Sequence, residues 1–426
     1  MHILVDGYNL ARAEGTGVAT YGRSFISAVQ ALNHDVSILM GVELRRAKLE
    51  SASAEALCLH HGVLPLVWRF RRIGGSALAP FGYDAYCIGE PQRHSQDDRL
   101  PQGSAIWNSY GLFAHAIGAF RKLNVFSTVR VPGVQIAHWT YPLPLRIENA
   151  INIYTFHDLV PLLRPDLTLE NRRNYLRLCR AVALRADHLV TVSDSSRVDI
   201  IEHLGIAPER VTTTYQSHTI TASDIQCAES SVERVTRELG LRRGKYFVFA
   251  GAVEPKKNLP MLLKAYFRSG VTTPLILVGS KGWDIERQLA PLNEQSEQVA
   301  ERVRVLGYQS RSNLLAIIRG AKATFFPSLA EGFGLPAIES MALGTPVLAS
   351  QAGGLAEVTG NAAAIVNPHD VADMAEAIRM LDWNADHRTA LVRAGLKQAE
   401  TFSMAAYRTR LSDLFASLLA KRQVHR

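Results

Sequence analysis

Two doubly wound α/β halves facing a central cleft are what this sequence predicts, on three observations. Apolar, strand-like runs alternate with amphipathic, helix-like stretches along most of the chain, as parallel sheets covered by helices on both faces require. That rhythm breaks once, over the polar stretch 221–243, and then resumes more cleanly. A chain of 426 residues is too long for one ordinary core and suits two domains of about 200 residues each.

The elements follow in order. In the first half strands are expected at 3–5, 36–40, 64–68, 135–137, 151–156, 189–192 and 211–215, and helices at 19–32, 107–123, 169–185 and 195–204. Residues 71–103 are rich in Gly, Pro and polar side chains and suggest a long loop without a clear element. In the second half strands fit 246–250, 275–278, 303–306, 323–326, 346–349 and 363–366, each followed by a helical segment. The expected division is a Rossmann-like domain over 1–221, a linker over 222–243, a second Rossmann-like domain over 244–403 and a final helix over 404–426. Ligand would lie at the strand ends that face the cleft.

Composition narrows the class. Hydrophobic residues make up 47% and charged residues 20%, the balance of a soluble α/β enzyme. No apolar run approaches the roughly 18–20 residues of a membrane helix. The opening Met1-His-Ile-Leu-Val-Asp6-Gly7 reads as a buried strand and turn rather than an export signal, so a cytoplasmic protein is expected. Cys58, Cys87, Cys179 and Cys227 have no metal or redox spacing and suit reduced thiols. The net charge of +8 is modest, and no aromatic RNA-binding signature accompanies it, which sets nucleic acid aside. Five arginines and no acids lie between Asn171 and Ala186, a pattern for peripheral contact with anionic lipid; a solvated helix face is the alternative.

The most informative segment runs from Ser328 to Ser350. It places Glu331 and Glu339 eight positions apart around Gly332-Phe333-Gly334-Leu335-Pro336, where the strand 323–327 ends and a helix starts near Leu335. Pro336 suits a first helical turn, since its missing N–H costs nothing there. Free N–H groups at such a start attract phosphate. Glu331 before the helix and Glu339 one turn inside it can address different parts of one ligand.

This segment resembles the donor site of the retaining glycosyltransferases of family 4, which have the GT-B architecture. The resemblance continues through Gln351-Ala-Gly-Gly-Leu-Ala-Glu357-Val and upstream to Phe249-Ala-Gly251-Ala-Val-Glu254-Pro-Lys256-Lys257-Asn258. It covers most of the chain, closely in the second half and loosely in the first. By resemblance Lys257 is the phosphate-binding lysine, Glu331 lies near the sugar ring and Glu339 holds the ribose hydroxyls. The N–H groups of Phe333, Gly334 and Leu335 meet sugar hydroxyls and phosphate, and Gly279 and Tyr308 border the base. Many relatives carry an arginine after Gly251, where this chain has Ala252; either Lys256 substitutes or one positive charge is absent.

In the first half, Gly15-Thr-Gly17 opens a strand-to-helix turn that allows close backbone approach to phosphate. It fails the dinucleotide fingerprint, because Thr20 stands where a third glycine belongs. It resembles the family's acceptor-domain loop, with an ordinary turn as the alternative. His157, at the end of the strand 151–156, matches a family histidine that contacts the transferred sugar. His138-Trp139-Thr140-Tyr141 suits either an acceptor surface or core packing. At Thr213-Thr-Tyr215-Gln-Ser217-His218 relatives commonly have Asn-Gly, so the loop leaving the first domain departs from the pattern.

The resemblance implies transfer of a hexose from a nucleotide diphosphate-sugar to a hydroxyl of a glycan or lipid-linked acceptor. The pairing of Gly-Thr-Gly-Val with Phe-His-Asp-Leu-Val-Pro is most similar to bacterial mannosyltransferases of surface-polysaccharide assembly, which makes GDP-mannose the expected donor. UDP-glucose or UDP-N-acetylglucosamine are alternatives. No Asp-x-Asp motif or histidine ligand spacing appears, so neither a metal nor another cofactor is expected. Glu331 and Glu339 are not spaced as a glycosidase pair flanking one bond. An epimerase would not need the lysine-to-glutamate array. A non-catalytic glycan-binding partner draws support only from Ala252.

Overall fold

The computed structural model describes residues 1–10, 17–43, 79–89, 103–280 and 282–424. The first lobe is built on an eight-stranded sheet. Its strands are β1 (His2–Asp6), β2 (Asp35–Met40), β3 (Tyr86–Gly89), β4 (Ala105–Asn108), β5 (Ile136–Trp139), β6 (Ile151–Phe156), β7 (His188–Thr191) and β8 (Val211–Thr213). They lie in the order β8-β7-β6-β5-β1-β2-β4-β3, and β3 is the one strand here that pairs antiparallel. Around them lie α1 (Gly17–Ala31), α2 (Leu112–Leu123), α3 (Arg172–Arg185) and α4 (Asp194–Leu204).

After α5 (Ala222–Glu238) comes the second sheet: β9 (Phe247–Ala250), β10 (Leu275–Val278), β11 (Val303–Gly307), β12 (Ala323–Phe326), β13 (Val347–Ser350) and β14 (Ala364–Val366). The order is β11-β10-β9-β12-β13-β14, and every pair is parallel. Its helices are α6 (Leu259–Ser269), α7 (Ile285–Asn293), α8 (Arg311–Gly320), α9 (Leu335–Ala342), α10 (Gly354–Thr359), α11 (Val371–Trp383) and α12 (Ala385–Thr401). One face of this sheet packs α6, α7 and α11; the other packs α8 and α9. Strands such as Leu275–Val278 are buried along their whole length, as a sheet covered on both faces demands. The last helix, α13 (Met404–Val424), crosses back to the first lobe, where Phe415 packs edge-on against Phe25 of α1.

Three expectations are corrected. The helix expected over 107–123 begins only at Leu112: Trp107 and Asn108 belong to β4, where they pair with β2, and Gly111 turns the chain with φ of 60°. The helix expected from 169 begins at Arg172, because the Asn171 side chain accepts from the Asn174 N–H and caps it. The polar stretch 222–243, expected as a linker, contains the 17-residue helix α5. Thr221 and Asp224 form a reciprocal capping box at its start, and buried Ala228, Val232 and Val235 form its narrow apolar stripe against α8. The strand expected at 64–68 lies outside the described residues. Among those residues, no helix is long and apolar enough to cross a membrane.

Candidate active site

The end of β9 supplies the cations. Gly251 leads into a 3-10 turn over Pro255–Lys257, and Asn258, with φ of 60°, turns the chain into α6. The Lys257 ammonium pairs directly with the Glu331 carboxylate, which also accepts from the Ser328 hydroxyl at 2.9 Å. Burial pushes the Glu331 carboxyl up, but Lys257, then Lys256, and the hydrogen bonds from Lys257 and Ser328 outweigh it. Glu331 is therefore held below its ordinary range and ionised. Lys256 lies 3.3 Å from Glu254. Its burial is outweighed by Glu331 and Glu254, so its ammonium is held above its usual value. Two cations and two carboxylates thus form a balanced cluster at the adjoining ends of β9 and β12.

The end of β12 supplies the second half of the site. Gly334 precedes α9 with φ of 97°, and a Cβ there would lie 2.6 Å from Leu355 Cδ1, so backbone and space both demand glycine. Phe333 is buried, with its ring edge-on to Phe402 at 5.4 Å, which leaves only its main chain to face the cleft. Glu339, one turn inside α9, is buried and accepts from Thr219 Oγ1 and Arg311 Nη2, both at 3.2 Å. Among the described residues no side chain caps α9, and Pro336 lies in its first turn, as an anion-accepting helix start requires.

The first lobe brings His157. Its Nε2–H donates to the Thr140 carbonyl at 2.9 Å, leaving Nδ1 as the acceptor. Burial lowers its pKa, partly opposed by the Thr140 carbonyl and Asp158, so the ring is neutral near pH 7. Tyr21 meets the ring edge-on at 5.0 Å. The lobes touch at this point: a Cβ on Gly332 would lie 2.3 Å from the His157 carbonyl oxygen. Since Gly332 adjoins Glu331, this contact draws His157, Lys257 and Glu331 to one place. A second cross-lobe contact lies nearby, where Glu357 of α10 accepts from the Asp194 and Ser195 N–H groups at 2.8 and 2.6 Å, at the start of α4.

The other expected residues divide. Gly251 and Gly279 pack on each other, since a Cβ on Gly279 would stand 1.9 Å from the Gly251 carbonyl oxygen. Tyr308 is exposed at the end of β11. Gly17 opens α1, where a Cβ would meet no atom of the described residues within 4 Å, and Gly15 lies outside the described residues. Of His138 to Tyr141, core packing takes the first two. His138 is buried, stacked on Phe25 at 3.9 Å, and pushed down to about 3 by burial. Trp139 is buried and donates to Asn152 at 3.2 Å. Sequence reasoning missed Thr219, Arg311 and the bridging role of Glu357. Arg311 opens the helix after the strand end Leu306-Gly307-Tyr308, a position that offered a signal; Thr219 offered none.

Two Rossmann-like lobes with this cleft define the GT-B glycosyltransferase architecture. The structure superposes on a sucrose-phosphate synthase from Thermosynechococcus elongatus with TM-score 0.67 at 17% identity, covering 99% of this chain and 100% of that one. Anabaena HepE, solved in complex with UDP and glucose, gives TM-score 0.62 at 16% identity over 98% and 100% of the two chains. In sequence, residues 232–398 match the family model described as glycosyl transferases group 1. The O-antigen chain mannosyltransferase B of Escherichia coli is 33% identical over 61% of this chain and 68% of its own length. The serotype-specific mannosyltransferase WbdA of Escherichia coli is 25% identical over 95% of this chain, which spans only 46% of that protein. The chain belongs to the group 1 glycosyl transferases, and it is a glycosyltransferase.

Proposed function

We propose that this enzyme transfers mannose, with retention, from GDP-mannose to a hydroxyl of a growing or lipid-linked polysaccharide. The observation that carries the reading is the meeting of His157, Lys257 and Glu331 where Gly332 packs on the His157 carbonyl. The names of the two Escherichia coli relatives support mannose as the sugar.

In this reading the donor diphosphate draws Lys257 away from Glu331, with Lys256 beside it in place of the arginine absent at Ala252. The uncapped start of α9 presents N–H groups to the phosphate, Glu339 takes the ribose hydroxyls, and Gly279 and Tyr308 border the base. The freed Glu331 carboxylate and neutral His157 Nδ1 accept from sugar hydroxyls. The bond from the anomeric carbon to the phosphate oxygen breaks as the acceptor oxygen bonds on the same face, and the acceptor proton passes to the leaving phosphate. The protein's part is charge stabilisation and positioning, supplied by lysine and backbone N–H groups. Lysine does this work without a metal.

The test is donor hydrolysis and thermal stabilisation across GDP-mannose, UDP-glucose, UDP-N-acetylglucosamine and a dTDP-sugar, each with chelator. A response to GDP-mannose that survives chelation supports the reading; a response confined to another donor replaces the sugar, and a chelator-sensitive one removes the metal-free mechanism. In the same reading the first lobe meets the cytoplasmic face of a membrane through α3, a contact supported by exposed Arg172, Arg173, Arg180, Arg185 and Leu184 and by exposed Leu169 just ahead of the helix. Reversing the charge of Arg172, Arg173 and Arg180 should abolish sedimentation with phosphatidylglycerol vesicles, and unchanged sedimentation would exclude this contact.

A further inference from the structure

A pocket of about 500 Å³ lies outside the cluster just described, between the starts of α6 and α7. Its volume is that of a small-ligand site, which spans roughly 300–1,000 Å³. It shares a wall with the catalytic loop: Pro255 and Asn258, which line it, flank Lys256 and Lys257. Leu329, also on its wall, donates its N–H to the Lys256 carbonyl at 2.7 Å and stands two residues from Glu331. Asp166 and Leu167 of the first lobe also line it. The pocket therefore lies between the two lobes. It lies on the α6–α7 face of the second sheet, whereas Glu339 and Arg311 belong to the α8–α9 face. It is thus separate from the ribose end of the proposed donor site.

Three features of its lining specify a ligand class. Trp283 is half-buried on the wall and offers an indole for stacking on the C–H face of a sugar ring. Gln288 is 4% exposed, and its Oε1 has no hydrogen-bond partner among the described residues. A buried acceptor left in that state costs free energy, which a ligand O–H would recover once the Gln288 amide turns to meet it. The charges are mixed: Lys264 and Arg287 are offset by Asp284 and Glu294, and Asp166 is paired with Arg164 at 2.8 Å. That balance disfavours a phosphate or a nucleotide and suits a neutral polyhydroxyl, whose hydroxyls donate to carboxylates and accept from cations alike.

We propose that this pocket is a glycan subsite that holds a sugar residue of the acceptor chain at a distance from the reacting hydroxyl. The assignment rests on the glycan-acceptor reading above, which places a chain in the adjoining cleft. The subsite gives longer acceptors an anchor that the shortest ones lack, so it sets acceptor-length preference without taking part in bond making.

The test uses the full chain and two neutral probes, an α-linked mannotetraose and maltotetraose, followed by saturation-transfer NMR without donor. Wild type should show transfer to at least one probe. Trp283→Ala, a change at a half-buried side chain, and Gln288→Leu, which keeps the volume and removes the acceptor, should each weaken binding about tenfold. Donor hydrolysis should stay unchanged in both. No binding of either probe by wild type overturns the proposal, as does binding equal in wild type and Trp283→Ala. Because the readout needs no turnover, it is distinguishable from failure of the transfer reading, which would appear as absent donor hydrolysis in wild type.

Discussion

At the scale of single residues, the pairing of Lys257 with Glu331 holds the candidate site together and contributes to stability. Both side chains are largely buried, at 15% and 12% exposure, so removing the lysine leaves Glu331 with only Lys256 to balance it. Breaking a buried pair costs about 3–5 kcal/mol, and the remaining cation places Lys257→Ala at or below the low end. Urea unfolding should show a loss of about 2–3 kcal/mol, and Glu331→Gln, which removes the charge and keeps the shape, should lose less. Both residues were legible in the sequence, because a turn with fixed glycines announced where the strand ends. Their ion pair was not, since residues 74 positions apart meet only once the sheet order places β9 beside β12. Thr219 was beyond reach for the same reason: its contact with Glu339 spans 120 positions.

At the scale of elements, two glycine turns hold the lobes in register. Gly332 lies against the His157 carbonyl, and Gly354 lies against Ser193, where a Cβ would stand 2.8 Å from the serine Cβ. The two nearest obstacles to a Cβ on Gly332, the His157 carbonyl oxygen and carbon, are backbone atoms, so neither can rotate aside. Gly332→Ala should therefore displace the loop carrying Glu331 from His157 while leaving both sheets intact. The expected result is about a 10²-fold fall in turnover, since small misplacements of reacting groups cost that much. Circular dichroism should be unchanged. A variant with full turnover would show that this contact does not set the site. Most strands were readable from apolar runs, because strands buried on both faces leave a continuous signal. Helix α5 was not readable: its buried stripe is narrow and the rest of its surface is polar, so the composition of 222–243 resembles a linker.

At the scale of the whole molecule, buried histidines make stability depend on pH. Burial pushes His138 down to about 3 and His188 down to about 4, and lowers His157 as well. Unfolding releases these rings to bind protons near pH 6.5, so the unfolded state gains protons as pH falls from 6.5 to about 4 and stability drops. Asp6 acts in the opposite sense. Burial raises it to about 6, against hydrogen bonds from Thr140 and Tyr8, so it takes up a proton in the folded state below pH 6. These histidines, with His218 also lowered by burial, outweigh Asp6, and thermal melts between pH 7 and 4.5 should record the net loss as a falling midpoint. Glu357, which joins α10 to the start of α4, links the lobes directly. Glu357→Gln should lower the melting midpoint by the equivalent of about 1 kcal/mol, the scale of a charge at a helix start.

The central claim is that Lys257 stabilises the leaving diphosphate of a nucleotide-sugar. Its most direct test is release of GDP from GDP-mannose, with chelator present, by wild type and Lys257→Ala, the variant's folding being confirmed by its melting transition. A fall in turnover of about 10²–10³-fold in the folded variant is the predicted result. Turnover within a few-fold of wild type would contradict it.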